Sequence, residues 1–314
     1  MAAIVLDSLP TPALYNWLGS SSPLLTSDIT LDITHISSSM VDGGARGDIW
    51  TANYHGVKVA LKTMRSGSGS SSRRSVQHLF RELNSWARLR HANILELYGV
   101  CRHGPYGFAM VSPWMEHGDV KNYLMIHPAA NRPLLVSDVV QGLIYLHSLE
   151  TPIVHGDLRA RNVLVTSTGH ACLADFGLSR AVVSTQTTSE SSGSSSSRGN
   201  VRWMSPERLL PERYGLTLVS SFTPAADIWS LGMVIYEIFS GEDPFYRVRN
   251  HWHVCQLIQD GGRPWHPGQR ARQRGLSDGM WSIAQYCWGH NWRKRPGAGK
   301  LAQRLSTLQS NIAQ

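Results

Sequence analysis

The chain has 314 residues, 42% apolar and 17% charged, with a formal net charge of +8. That balance suits one large domain or two lobes with real cores, and excludes a disordered chain. A basic excess fits a nucleic-acid or acidic partner as well as scattered arginine; no run of five basic residues occurs, which favours scatter and no nucleic-acid partner.

Residues 1–27 are rich in Ser, Pro and Leu without a clean period, and read as a leader, partly disordered or packed on the domain. The start lacks a basic n-region and no run of 18 apolar residues follows anywhere, so neither a secretion signal nor a membrane partner is expected. Alternation at Ile29, Leu31 and Ile33 predicts a strand, and Asp42-Gly43-Gly44-Ala45-Arg46-Gly47 a turn. Ile49–Tyr54 and Val57–Lys62 then read as a β-hairpin about His55-Gly56. Arg65–Ser75 is a Gly/Ser connector. After it, Val76, Leu79, Phe80, Leu83 and Ala87 share a helical face, with Glu82 beside it. Residues 94–111 predict two strands around a turn at Gly104–Gly107.

Beyond Glu116-His117-Gly118 the pattern turns helical. Leu135, Val139, Leu143, Ile144 and Leu146 mark one helix. Ile228, Leu231, Val234, Ile235, Ile238 and Phe239 mark a second, apolar enough to be central and buried. Short strands are expected at Val163–Val165 and Ala171–Leu173, and Arg293-Lys294-Arg295 is placed in a helical region. The stretch Ser184–Arg198, with Ser or Thr at 11 of 15 positions, cannot bury apolar surface and is expected to be mobile, as a spacer or a phosphorylated tract. Cys101, Cys172, Cys255 and Cys287 are too far apart in sequence for a metal or disulfide pattern, and fit reduced thiols in an intracellular, cytoplasmic protein.

Two acidic islands carry the chemistry. His155-Gly156-Asp157-Leu158-Arg159-Ala160-Arg161-Asn162 is followed by Asp175-Phe176-Gly177. They supply two carboxylates and an amide in order between short apolar runs. Phosphoryl transfer needs that set: one carboxylate to take a hydroxyl proton, and a carboxylate plus an amide to hold Mg²⁺ on phosphates. Far upstream stands Val59-Ala60-Leu61-Lys62, and the ordered combination is specific where each piece alone is weak.

From about Ile29 to the C-terminus the chain resembles a eukaryotic protein kinase domain. It is most similar to the tyrosine-kinase-like group, including the expanded fungal kinase sets, in which Gly-Gly, His-Gly-Asp and Arg-Trp-Met-x-Pro-Glu recur. The resemblance implies an α+β, two-lobed fold: a β-rich N-lobe with one helix (28–111), a hinge (112–116) and a helical C-lobe (117–314). It implies ATP and Mg²⁺ as cofactors and proteins as substrates, in signal transduction.

Residue by residue, it makes Gly44 and Gly47 phosphate-loop glycines, with Asp42 departing at the first glycine position. Lys62 would bridge the α- and β-phosphates, held by Glu82. Ser112 would be a small gatekeeper, and Pro113 (carbonyl) and Met115 (N–H) would meet the adenine edge. Ile49, Ala60 and Leu164 would sandwich the ring. Asp157 would accept or orient the substrate hydroxyl, Arg159 steady the γ-phosphate, and Asn162 and Asp175 hold Mg²⁺. Glu207 and Arg295 would form a buried pair, and Asp227 would brace the catalytic loop. Gly156 replaces the usual arginine, which removes the main acceptor for an activation-loop phosphate. Arg159-Ala160-Arg161-Asn162 mixes Ser/Thr- and Tyr-kinase features; Val201-Arg202-Trp203-Met204 favours Ser/Thr, with dual specificity next. A pseudokinase remains the alternative, suggested by Asp42, Gly156 and Asn200.

Overall fold

A computed structural model describes residues 28–44, 47–63, 83, 86–104, 108–176, 179–181 and 200–312. The leader, the connector, most of the 76–87 helix including Glu82, the loop tip at 45–46, Gly177 and the 184–198 tract lie outside them. The chain divides into two compact units between Met115 and Glu116.

The first unit is an antiparallel sheet ordered β1 (Ile33–Thr34), β3 (Gly47–Tyr54), β4 (Val57–Thr63), β6 (Phe108–Pro113) and β5 (Gly99–Arg102), with β2 (Asp42–Gly44) also paired to β3. The β3–β4 hairpin turns at His55 and Gly56, both at positive φ (47° and 81°), as a two-residue turn matching strand twist requires. Period-2 alternation then sorts the side chains. Trp50, Ala52, Val59, Leu61, Cys101, Ala109 and Val111 form a buried cluster with Ile29, against which Ile33, Tyr54 and Tyr98 pack. Leu83 and Trp86 are helical and buried.

Two expectations are corrected here. Ile29, Leu31 and Ile33 do not form one strand. Asp28 accepts the Thr30 amide at 3.0 Å, a 3₁₀ turn covers Thr30–Asp32, and Leu31 is left 97% exposed. The glycine stretch from Asp42 is not simply a turn: Asp42–Gly44 is a strand registered Asp42↔Ile49 and Gly44↔Gly47. Glycine carries no side chain to mark a face, so the alternation that reveals a strand is invisible there.

The second unit is mainly helical: α1 (Val120–Ile126), α2 (Arg132–Ser148), α3 (Pro206–Leu209), α4 (Pro224–Ser240), α5 (His251–Gln259), α6 (Gln269–Gln273), α7 (Asp278–Cys287) and α8 (Ala298–Ile312). Asp119 caps α1 through the amides of Lys121 and Asn122, and Thr223 caps α4 ahead of Pro224. From Ala226 to Phe239 every residue of α4 is buried, so this helix forms the axis of the unit, with α2 and α7 packed against it. The hairpin β8 (Val163–Val165) and β9 (Ala171–Leu173) is registered Leu164↔Cys172, and β7 (Ile153–Val154) pairs β10 (Arg180–Ala181). Arg293 and Lys294 sit in a 3₁₀ turn, Trp292–Lys294, rather than an α-helix. All four cysteines are free thiols; burial pushes Cys101, Cys172 and Cys287 up to about 12.

Candidate functional site

The sheet places part of the expected nucleotide set together. Ile49 is opposite Lys62, Thr51 opposite Ala60, and Ala60 opposite Ser112. Directly opposed residues share a sheet face, so Ile49, Ala60, Lys62 and Ser112 line the face away from the buried cluster. Gly44 and Gly47 close the β2–β3 hairpin above Ile49. Strand β6 continues through Ser112 and Pro113; Pro113, which has no N–H to lend to the ladder, lies opposite Val59, and Met115 follows the strand.

In the helical unit Asp227 organises the catalytic loop. Its Oδ2 accepts the His155 amide at 2.8 Å and its Oδ1 the Gly156 amide at 2.9 Å, while His147 Nε2 lies 2.8 Å from Oδ2. Burial pushes this carboxyl up, but the hydrogen bond and charge of His147, with His155 and the Gly156 amide, outweigh it and hold it below its ordinary value. Gly156 sits at φ 78°, where a side chain would be strained, and its carbonyl accepts Arg208 Nη1 at 2.5 Å. The His155 ring reaches the Ala174 carbonyl at 3.0 Å, tying this loop to the residue before Asp175.

Asp157 is buried within this frame. Asn162 Nδ2 donates to its backbone carbonyl at 2.7 Å and to Oδ2 at 2.9 Å, and Asn200 Nδ2 donates to Oδ1 at 2.5 Å. Arg159 Nε stands 3.6 Å from Oδ2. Asn162 also accepts the Ala174 amide on its backbone oxygen at 2.9 Å, which sets Asp175 beside it. Asp175 adopts φ 64°, a left-handed conformation uncommon for a non-glycine residue and typical of strained functional positions. Leu164 lies partly exposed on β8, bridged to Asp119, between buried Val163 and Val165.

Glu207 and Arg295 form a two-pronged pair, Oε1–Nη1 and Oε2–Nη2 both at 2.7 Å, with both side chains at 0% exposure. Three residues acquire contacts that local motifs did not foretell: Asn200 on Asp157, and Glu237, which no motif singled out, with Trp203. Glu237 Oε2 accepts the Ala160 amide at 2.8 Å and Trp203 Nε1 at 2.8 Å, so one carboxylate of α4 ties the catalytic loop to the segment before α3. Burial pushes Glu237 up to about 7, against those two hydrogen bonds. An acid among the apolar residues at the C-terminal end of α4 was the available signal, since a buried carboxylate demands partners.

Among the described residues no helix is long and apolar enough to cross a membrane, and no cluster of three His, Cys, Asp or Glu is placed to hold a metal.

Residues 36–305 match the family described as protein tyrosine and serine/threonine kinase. The chain is 28% identical to serine/threonine-protein kinase VIK of Arabidopsis thaliana, covering 88% of this chain and 60% of that protein. It is 31% identical to tyrosine-protein kinase csk-1 of Caenorhabditis elegans, covering 94% of this chain and 52% of that one. It is 29% identical to the inactive tyrosine-protein kinase kin-32 of the same organism, covering 88% and 30%. The chain thus spans little more than half the length of the first two relatives. The β-sheet unit, the helical unit built on α4 and the match over residues 36–305 agree: this chain belongs to the eukaryotic protein kinase family, as a tyrosine-kinase-like domain.

Proposed function

We propose that the chain is an active ATP-dependent protein kinase that transfers the γ-phosphate to serine or threonine hydroxyls of proteins. The observation that carries this reading is the catalytic-loop frame: Asp227 holds the His155–Gly156 backbone, Asn162 is bonded to Asp157, and His155 and Asn162 both bond Ala174, the residue before Asp175. The family generally uses ATP and Mg²⁺, and the donors present suit them. Asn162 spends its amide nitrogen on Asp157, which leaves Oδ1 without a hydrogen-bond partner among the described residues. With the Asp175 carboxylate it offers the hard oxygen ligands that Mg²⁺ takes alongside phosphate.

In this reading ATP with Mg²⁺ supplies the transferable phosphoryl group and the charge that offsets its oxygens. Asp157 accepts the proton of the substrate hydroxyl as that oxygen bonds to the γ-phosphorus and the bond to the β–γ bridging oxygen breaks. Arg159 steadies the γ-phosphate. Lys62, with Glu82 as partner, holds the α- and β-phosphates. Gly44 and Gly47 let backbone amides approach the phosphates. The resemblance assigns Ile49, Ala60 and Leu164 to the adenine faces, and Ser112, Pro113 and Met115 to its edge. The kinase domain is taken as 28–314 behind a leader, and its setting as cytoplasmic.

A second reading has one observation behind it. Both oxygens of Asp157 are engaged by amides, Asn162 on one and Asn200 on the other. That arrangement suits a pseudokinase that signals by binding, as well as a resting kinase whose Asn200 must yield to substrate. Labelled ATP with Mg²⁺, incubated with the chain and a protein mixture, separates them. Phosphoserine or phosphothreonine in the product supports the first reading; phosphotyrosine alone overturns its specificity; no product from folded protein moves the assignment to the second.

A further inference from the structure

The helical unit contains a cavity of about 190 Å³ whose lining includes Arg159 and Asn200, the side chains that meet Asp157. Each of its two carboxylates already has a partner: Glu237 Oε2 accepts from Ala160 and Trp203, and Asp243 Oδ1 from Lys121 Nζ at 2.6 Å. Its cations are not equally spent. Arg202 is committed to the carbonyls of Pro244, Phe245 and Val248 at 3.0, 2.6 and 2.6 Å, but keeps its charge. Arg159 Nε is buried and makes no hydrogen bond among the described residues, but pairs by charge with Asp157 Oδ2 at 3.6 Å. Arg161, on the cavity lining and exposed, has no hydrogen bond or ion pair among the described residues. His251, exposed at the start of α5, faces the same space.

A polar cavity whose acids are paired and whose Arg161 guanidinium has no partner among the described residues is complementary to an anion. An extended chain advances about 3.3 Å per residue, so a group entering here belongs to a residue within about two positions of the hydroxyl on Asp157. We propose that this cavity is a specificity subsite for an anionic side chain of the protein substrate, a carboxylate or a phosphate, close to the phosphorylated hydroxyl, with Arg161 and His251 as the selecting residues. The inference rests on the transfer chemistry proposed above and deepens it by naming the substrate class. Arg159 stands between the two sites and contributes to the positive field of both.

The test uses serine peptides carrying Glu, phosphoserine, Ala or Lys at each of the two positions on either side of the serine. kcat/KM is measured with labelled ATP and Mg²⁺. In parallel, Kd is measured by fluorescence anisotropy for the same peptides with the central serine replaced by alanine. One charge-assisted hydrogen bond to the anion gives about tenfold in favour of Glu or phosphoserine over Ala at one position, and Lys ranks last. A larger gain for phosphoserine than for Glu assigns the phosphate as the preferred anion; equal gains assign either. Arg161→Glu with His251→Glu inverts the order to favour Lys, whereas a merely structural role would lower all peptides alike. Arg161→Gln, which removes charge without reversing it, flattens the order. Acid-selective binding without transfer keeps the subsite and sinks the catalytic reading. Equal kcat/KM and equal Kd across the whole panel overturn the subsite.

Discussion

The sheet unit and the helical unit place their functional residues by different physics. In the sheet, one rule does it: neighbours along a strand face opposite ways, so burying Val59 and Leu61 obliges Ala60 and Lys62 to face away, beside Ile49 and Ser112. In the helical unit the placement runs through buried charge. Asp227 grips the amides of His155 and Gly156, Glu237 grips Ala160 and Trp203, and Glu207 grips Arg295, each across more than thirty residues of sequence. A substitution on the sheet face away from the buried cluster is therefore forgiving and local, whereas removal of one buried ion leaves its partner stranded.

That contrast predicts an ordered set of effects. Largest is Arg295→Met, which strands Glu207 at 0% exposure and costs about 3–5 kcal/mol in urea unfolding. A loss under 1 kcal/mol would mean the pair is not the clamp its geometry implies. Next, Leu61→Ala empties a site at the centre of the sheet cluster and costs about 2–5 kcal/mol, while Thr51→Ala on the opposite face stays within about 0.5 kcal/mol. Equal costs at the two positions would contradict the face assignment.

Glu237 gives a pH test. Its carboxyl is raised from 4.5 to about 7, so between those values the unfolded chain has lost a proton that the folded chain keeps. Stability therefore falls as pH rises through that window, by about 3 kcal/mol in all, and levels off above it. Asp243, Lys121, Arg159, Arg161, Arg202 and His251 surround the same space, and Asp227, shifted the other way, acts below the window. Glu237→Gln should flatten the profile between pH 5 and 7, and an unchanged slope would reassign it to another group. Smaller than the three losses above is that of Gly156→Ala, which places a side chain at φ 78° and costs about 1 kcal/mol, measured as a shift in Tm. A neutral result would mean that the loop relaxes around it.

Much of this was legible from the residues. Alternation marked the β3–β4 hairpin and its turn, β8 and β9 stood out as short apolar runs, and α4 as a helix apolar enough to be central and buried. Asp227, Glu207 and Arg295 came from the resemblance, and the structure gives each the contact expected. What was not legible has physical reasons. Asp28 and Thr30 make a local turn that overrides the Ile29–Leu31–Ile33 alternation. Asp42–Gly44 pairs through its backbone, which leaves no side-chain pattern. The roles of Asn200 and Glu237 depend on partners 43 and 77 residues away, beyond any local window.

The central claim is that Asp157 works as the catalytic carboxylate inside the Asp227 frame. The most direct measurement compares phosphate transfer from labelled ATP with Mg²⁺ by the wild-type chain and by Asp157→Asn, with circular dichroism showing both folded. The account predicts transfer by the wild type and a loss of at least about 100-fold in the variant. Equal transfer by both chains, or none from a folded wild type, would contradict it.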